Sequence, residues 1–104
     1  MKNYFEVIPV VIDTRKFKSH EQKAPELIIG GDYYICFQGK KVHPCKLVNI
    51  DPLNKNYVDV KIQLKGKFKQ ANPEGELHSV KIIEIGSTPE GAVLNRVLKG
   101  SILD

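Results

Sequence analysis

The chain has 104 residues, 41% of them apolar and 27% charged, with sixteen lysines and arginines against twelve aspartates and glutamates and a formal net charge of +4. That length matches about one ordinary domain with one core, and that balance excludes a disordered polyelectrolyte and a membrane-embedded chain. Two cysteines are too few for a secreted disulfide scaffold, and Glu6 and Pro9 interrupt the first apolar run so that no leader is readable; the expectation is a soluble cytoplasmic protein with reduced thiols.

Residues 4–12 read as a first strand, and Pro9, which cannot donate to a ladder, predicts an edge position or a bulge there. Residues 13–24 are polar and without period, a long surface loop ending before Pro25. Leu27, Ile28 and Ile29 form a short apolar anchor ahead of Gly30-Gly31. Residues 32–38 and 41–50 are two strands joined at Gly39-Lys40, where glycine in the first central position suits a two-residue type II′ turn. That register sets Gln38 opposite Lys41, Cys36 opposite His43 and Tyr34 opposite Cys45, while Pro44 again predicts an edge or a bulge. Asp51, Pro52, Leu53, Asn54, Lys55 and Asn56 make a turn by composition.

The strongest local signal lies in residues 57–65, where Val58, Val60, Ile62 and Leu64 alternate with Tyr57, Asp59, Lys61, Gln63 and Lys65. A period of two puts the branched apolar side chains on one face of a strand and the polar ones on the other, predicting a sheet with one dry and one wet face. After a basic stretch, Asn72-Pro73-Glu74-Gly75 fits a type I turn with proline second and glycine fourth, and residues 77–85 read as the last strand, in a hairpin with the one before. Residues 88–99 predict a terminal helix: Thr88 as N-cap, Pro89 at the first helical position and Glu90 beside the positive end of the dipole. Its apolar stripe is Ala92, Val93, Leu94, Val97 and Leu98, with Gly100 as the closing C′ residue.

Five modest strands with close turns and one short helix predict a mostly β single domain, a small and strongly bent antiparallel sheet or barrel. Gly31-Asp32-Tyr33-Tyr34 opening a strand, the hairpin around Phe37-Gln38-Gly39-Lys40-Lys41, the strand at 45–50 and the alternating 57–64 together resemble the small SH3-like barrels of Tudor and KOW type. For a Tudor-type module the resemblance implies an aromatic cage, to which Tyr33, Tyr34, Phe37 and Tyr57 are the available contributors.

No phosphate-binding glycine loop, catalytic triad signature or complete metal-ligand set runs along the chain. Two clusters share a chemistry: Arg15-Lys16-Phe17-Lys18 and Lys65-Gly66-Lys67-Phe68-Lys69. Cations interleaved with an aromatic are what single-stranded nucleic acid requires, because the cations neutralise phosphates while the ring stacks a base. The competing expectation is that Phe17 and Phe68 tuck inward under solvated lysines. Cys36, His43 and Cys45 come close in the expected register, and His78 or His20 would complete four soft ligands; the spacing matches no familiar zinc motif, and reduced cysteines are among the most buried residues. No metal and no cofactor is therefore expected. A Cys36–His43 nucleophile pair has no readable orienting group or oxyanion site, so no enzyme is expected either. The overall expectation is a non-enzymatic binding module whose partner is single-stranded nucleic acid or a protein at a sheet edge or the terminal helix, with no membrane association.

Overall fold

A computed structural model of the chain describes residues 4–11, 26–38, 41–54 and 56–96. The elements in chain order are β1 (Ile8–Pro9), β2 (Asp32–Gln38), β3 (Lys41–Ile50), β4 (Tyr57–Ile62), α1 (Gly66–Ala71), β5 (Glu76–Lys81), a 3₁₀ turn (Ile82–Glu84), β6 (Ile85–Gly86) and α2 (Pro89–Arg96). The strands form one antiparallel sheet in the order β5-β4-β3-β2-β6, with β1 beside β3. The protein is mostly β, and the sheet stays open, so of the two expected architectures it adopts the bent sheet and not the closed barrel. The expected Gly39-Lys40 turn, the 13–24 loop and everything beyond Arg96 lie outside the described residues.

The alternation in β4 behaves as its period dictates. Val58, Val60, Ile62 and Leu64 are buried in one cluster with Tyr33, Ile35, Cys45, Leu47, Val80 and Ile85, drawn from β2 to β6, and with Phe5 from the amino-terminal segment. Burial of each Val, Leu or Ile contributes about 1.5–3 kcal/mol over exposure. A second cluster forms on the opposite face, where Cys36 and Val42 meet Ala92, Val93 and Leu94 of α2. The sheet is thus dry on both sides where α2 covers β2, and wet on one side over β4 and β5.

The β2–β3 ladder corrects the expected register. Gln38 does face Lys41, but the ladder then shifts, so Cys36 faces Val42, Ile35 faces His43, Tyr34 faces Pro44 and Tyr33 faces Cys45. The extra residue is Phe37, and a one-residue bulge moves every following partner by one position. Cys36 therefore belongs to the α2 face, and His43 and Cys45 to the other.

Pro44 lies inside the central strand β3, where an edge or a bulge was expected. The missing donor is accommodated locally: Gln63 donates to the Pro44 carbonyl at 3.0 Å, and the Gln63 carbonyl, which a residue-44 N–H would ordinarily reach, instead accepts the Glu6 N–H at 2.9 Å. The amino-terminal segment thereby straps the sheet, with Phe5 bridged to Leu64 and the Lys65 N–H donating to the Tyr4 carbonyl at 2.9 Å. The expected first strand shortens to β1 and this bridge. Of the expected apolar anchor only Leu27 packs on the core, while Ile28 and Ile29 are exposed.

The expected last strand also divides. β5 pairs with β4 as far as Lys81 opposite Tyr57, where β4 has no further residue to offer. The chain then makes the 3₁₀ turn and sets Ile85 and Gly86 against Ile35 and Tyr34 on the far side of the sheet. For α2, Thr88 is the N-cap that the sequence predicts: its Oγ1 accepts the Gly91 N–H and its carbonyl the Ala92 N–H, both at 3.0 Å.

Candidate functional site

The basic stretch after β4 folds as α1, a six-residue helix with no buried residue, which the sequence pattern had not marked as helical. Gly66 opens it with φ +59°, the left-handed conformation that turns the chain out of the line of β4. The strap fixes the takeoff point, since Leu64 is bridged to Phe5 and Lys65 is hydrogen-bonded to Tyr4. Lys65, Lys67 and Lys69 all reach solvent, and among the described residues no carboxylate forms an ion pair with any of them.

Phe68 sits among these lysines and does not tuck into the core. It retains 44% of its exposure, with the Tyr4 ring behind it at a centroid distance of 5.2 Å and a tilt of 39°. Lys67 Nζ lies 5.6 Å from the Phe68 centroid, within reach of a cation–π contact. Tyr4 in turn meets Phe5 edge-on at 5.1 Å, so the exposed ring rests on a chain of aromatics leading to the core. Sequence reasoning missed Tyr4, because no periodicity links two residues so far apart in the chain. The other predicted cluster, Arg15, Lys16, Phe17 and Lys18, lies outside the described residues.

A groove of about 510 Å³ adjoins the base of α1, lined by Lys46, Lys61, Gln63, Glu74, Pro73 and Ile29 among others. Lys46 and Lys61 are directly opposed on β3 and β4. Lys61 Nζ donates to Glu74 Oε2 at 3.0 Å, and that bond together with the lysine charge holds the Glu74 carboxyl below its ordinary range. Sequence reasoning missed this pair, because Ile50 faces Val58 and a register shift between Leu47 and Asn49 then sets Lys46 opposite Lys61, an irregularity that no local pattern marks.

The cysteine and histidine candidates do not assemble. The bulge places Cys36 on the face away from His43 and Cys45, neither cysteine is in a disulfide, and among the described residues no group of three or more metal-ligating side chains comes together. His43 is buried between the Phe5 and Phe37 rings, at 5.4 and 5.8 Å, with Nδ1 at 2.8 Å from the Glu6 carbonyl, a partner that fixes the strap. Burial, and then the charge of Asp32, push the Cys45 thiol up to about 12, the reverse of what a nucleophilic thiolate needs. His78 Nε2 lies 2.8 Å from Glu76 Oε1 at the edge of the sheet. Tyr33, a possible cage aromatic, is buried, and its hydroxyl accepts the Ile28 N–H at 2.7 Å and donates to the Glu26 carbonyl at 3.0 Å, so it braces the turn before β2.

No helix among the described residues is long and apolar enough to cross a membrane. Comparison with protein-family models, with curated proteins and with solved structures found no match.

Proposed function

We propose that this chain is a small, non-enzymatic binding module of the cytoplasm that takes single-stranded nucleic acid on α1. Lys65, Lys67 and Lys69 contact phosphates and Phe68 stacks a base; Arg15, Lys16, Phe17 and Lys18 supply a second set of the same contacts. The observation that carries this reading is the Phe68 ring, half exposed, backed by Tyr4, with Lys67 beside it and with Lys65, Lys67 and Lys69 lacking carboxylate partners among the described residues. A buried core phenylalanine would not be held that way, and base stacking on such a ring contributes about 1–3 kcal/mol. The unbridged, buried cysteines suit a reducing compartment. The likeness to small SH3-like barrels is supported by the path from β5 through the 3₁₀ turn to β6, which takes the chain from one edge of the sheet to the other.

Titration of short single-stranded DNA and RNA at two salt concentrations tests the proposal. Three phosphate contacts give a slope of log affinity against log salt of about −2, and Phe68→Ala weakens binding about 5- to 150-fold. Absence of binding at low salt removes the reading. The rival is a protein-interaction module that adds a partner strand to the edge strand β5, where Leu77 is 59% exposed. A protein ligand whose affinity is indifferent to salt and is lost in Leu77→Lys selects that rival.

A further inference from the structure

Lys46 and Lys61 stand directly opposite one another on the wet face of β3 and β4. Like charges at opposed positions are destabilising, and here Leu77 continues the row on β5 without relieving it. One carboxylate answers the pair: Glu74, from the turn that follows α1, reaches Lys61. Asp32 is opposed to Lys46 on β2, yet among the described residues no carboxylate lies within ion-pair distance of the Lys46 ammonium. The two lysines line an open groove of about 510 Å³ with Ile29 and Pro73 on its walls, a volume in the range of about 300–1,000 Å³ common to ligand sites. Gln63 and Pro73, which bracket α1 in the chain, both line that groove.

Building on the proposed function, we infer that the groove is the continuation of the nucleic-acid track. A phosphodiester bridges Lys46 and Lys61 in the position that Glu74 now fills beside Lys61, while sugar and base lie along Ile29 and Pro73. Glu74 is then a built-in competitor: it neutralises Lys61 when the groove is empty and must be displaced by phosphate. The chemistry recognised is a linked phosphate backbone, not a free nucleotide, because the described groove lining holds two lysines and no ring on which a base could stack, whereas Phe68 on α1 offers one.

The test is fluorescence-anisotropy titration of a labelled twelve-residue oligothymidylate against the full chain and its Lys46→Gln, Lys61→Gln, Glu74→Gln and Lys67→Gln variants across a salt series. Lys46→Gln and Lys61→Gln each weaken binding by about three- to tenfold and flatten the salt slope by about 0.7, one phosphate contact. Glu74→Gln does the opposite, tightening binding several-fold and steepening the slope, a gain that misfolding cannot produce. If Lys67→Gln weakens binding while the three groove variants leave affinity and slope unchanged, the groove inference is overturned and the α1 reading stands. If the unmodified chain fails to bind at low salt, both fall. Thymidine monophosphate competing as well as the oligomer at equal nucleotide concentration overturns the track in favour of a free-nucleotide site.

Discussion

Gly75 follows the groove residue Glu74 and leaves no room for a side chain. Its φ is +93°, and a Cβ placed there would stand 2.5 Å from the Ile62 carbonyl oxygen, which belongs to the β4 ladder and cannot retreat. Gly75→Ala is therefore expected to cost at least about 2 kcal/mol, read as a lower urea midpoint at unchanged m-value. Gly66 is the internal control: its φ of +59° is also left-handed, but a Cβ there meets nothing within 4 Å. Gly66→Asn, a residue that tolerates this conformation, should stay within about 1 kcal/mol of the parent. The turn around Gly75 was legible, because Asn-Pro-Glu-Gly is a turn by composition and the Gly75 N–H does bond the Asn72 carbonyl at 3.2 Å. The proximity of Ile62 was not legible, since it depends on how closely the turn folds back over β4.

At the scale of elements, the two faces of β4 and β5 have unequal consequences. Ile62→Ala empties a fully buried position of the main cluster and is expected to lose about 2–5 kcal/mol, whereas Leu77→Ala on the wet face should change stability by less than about 0.5 kcal/mol. Chemical denaturation of the two variants side by side checks this, and a loss in Leu77→Ala as large as that in Ile62→Ala would overturn the assignment of Leu77 to a wet face. That assignment was readable from alternation alone. The elements that resisted reading are those whose form depends on a neighbour. α1 buries nothing and has no apolar stripe, so no periodicity announces it, and it exists where Gly66 and the strap turn the chain. β5 ends where β4 ends, and Ile85 carries the same strand-like side chain into a different pairing.

For the whole molecule, the thiol of Cys45 reports how firmly the two faces are closed. Its pKa rises from 9.0 to about 12 through burial first and the Asp32 charge second, so the folded state favours the neutral thiol. The unfolded chain releases this proton from about pH 9 upward while the folded chain retains it. The stabilisation is therefore complete below about pH 9 and is lost as pH rises toward about 12, by at most about 1.4 kcal/mol per pH unit. The stability difference between the parent and Cys45→Ala should accordingly shrink between about pH 8.5 and 10.5, and a difference that is flat across that window would place the thiol in water. By itself the sequence determined the composition of the dry face, the limits of β2 and β3, the turns at 51–54 and 72–75 and the helix cap of α2, because each follows from side-chain periodicity or backbone preference within a few residues. Only the tertiary structure decided the bulge at Phe37, the central place of Pro44, the crossing of β6 and the opposition of Lys46, Lys61 and Glu74. A one-residue shift or a missing donor is nearly neutral locally, and its outcome is selected by which distant segment arrives to bury the face or accept the hydrogen bond.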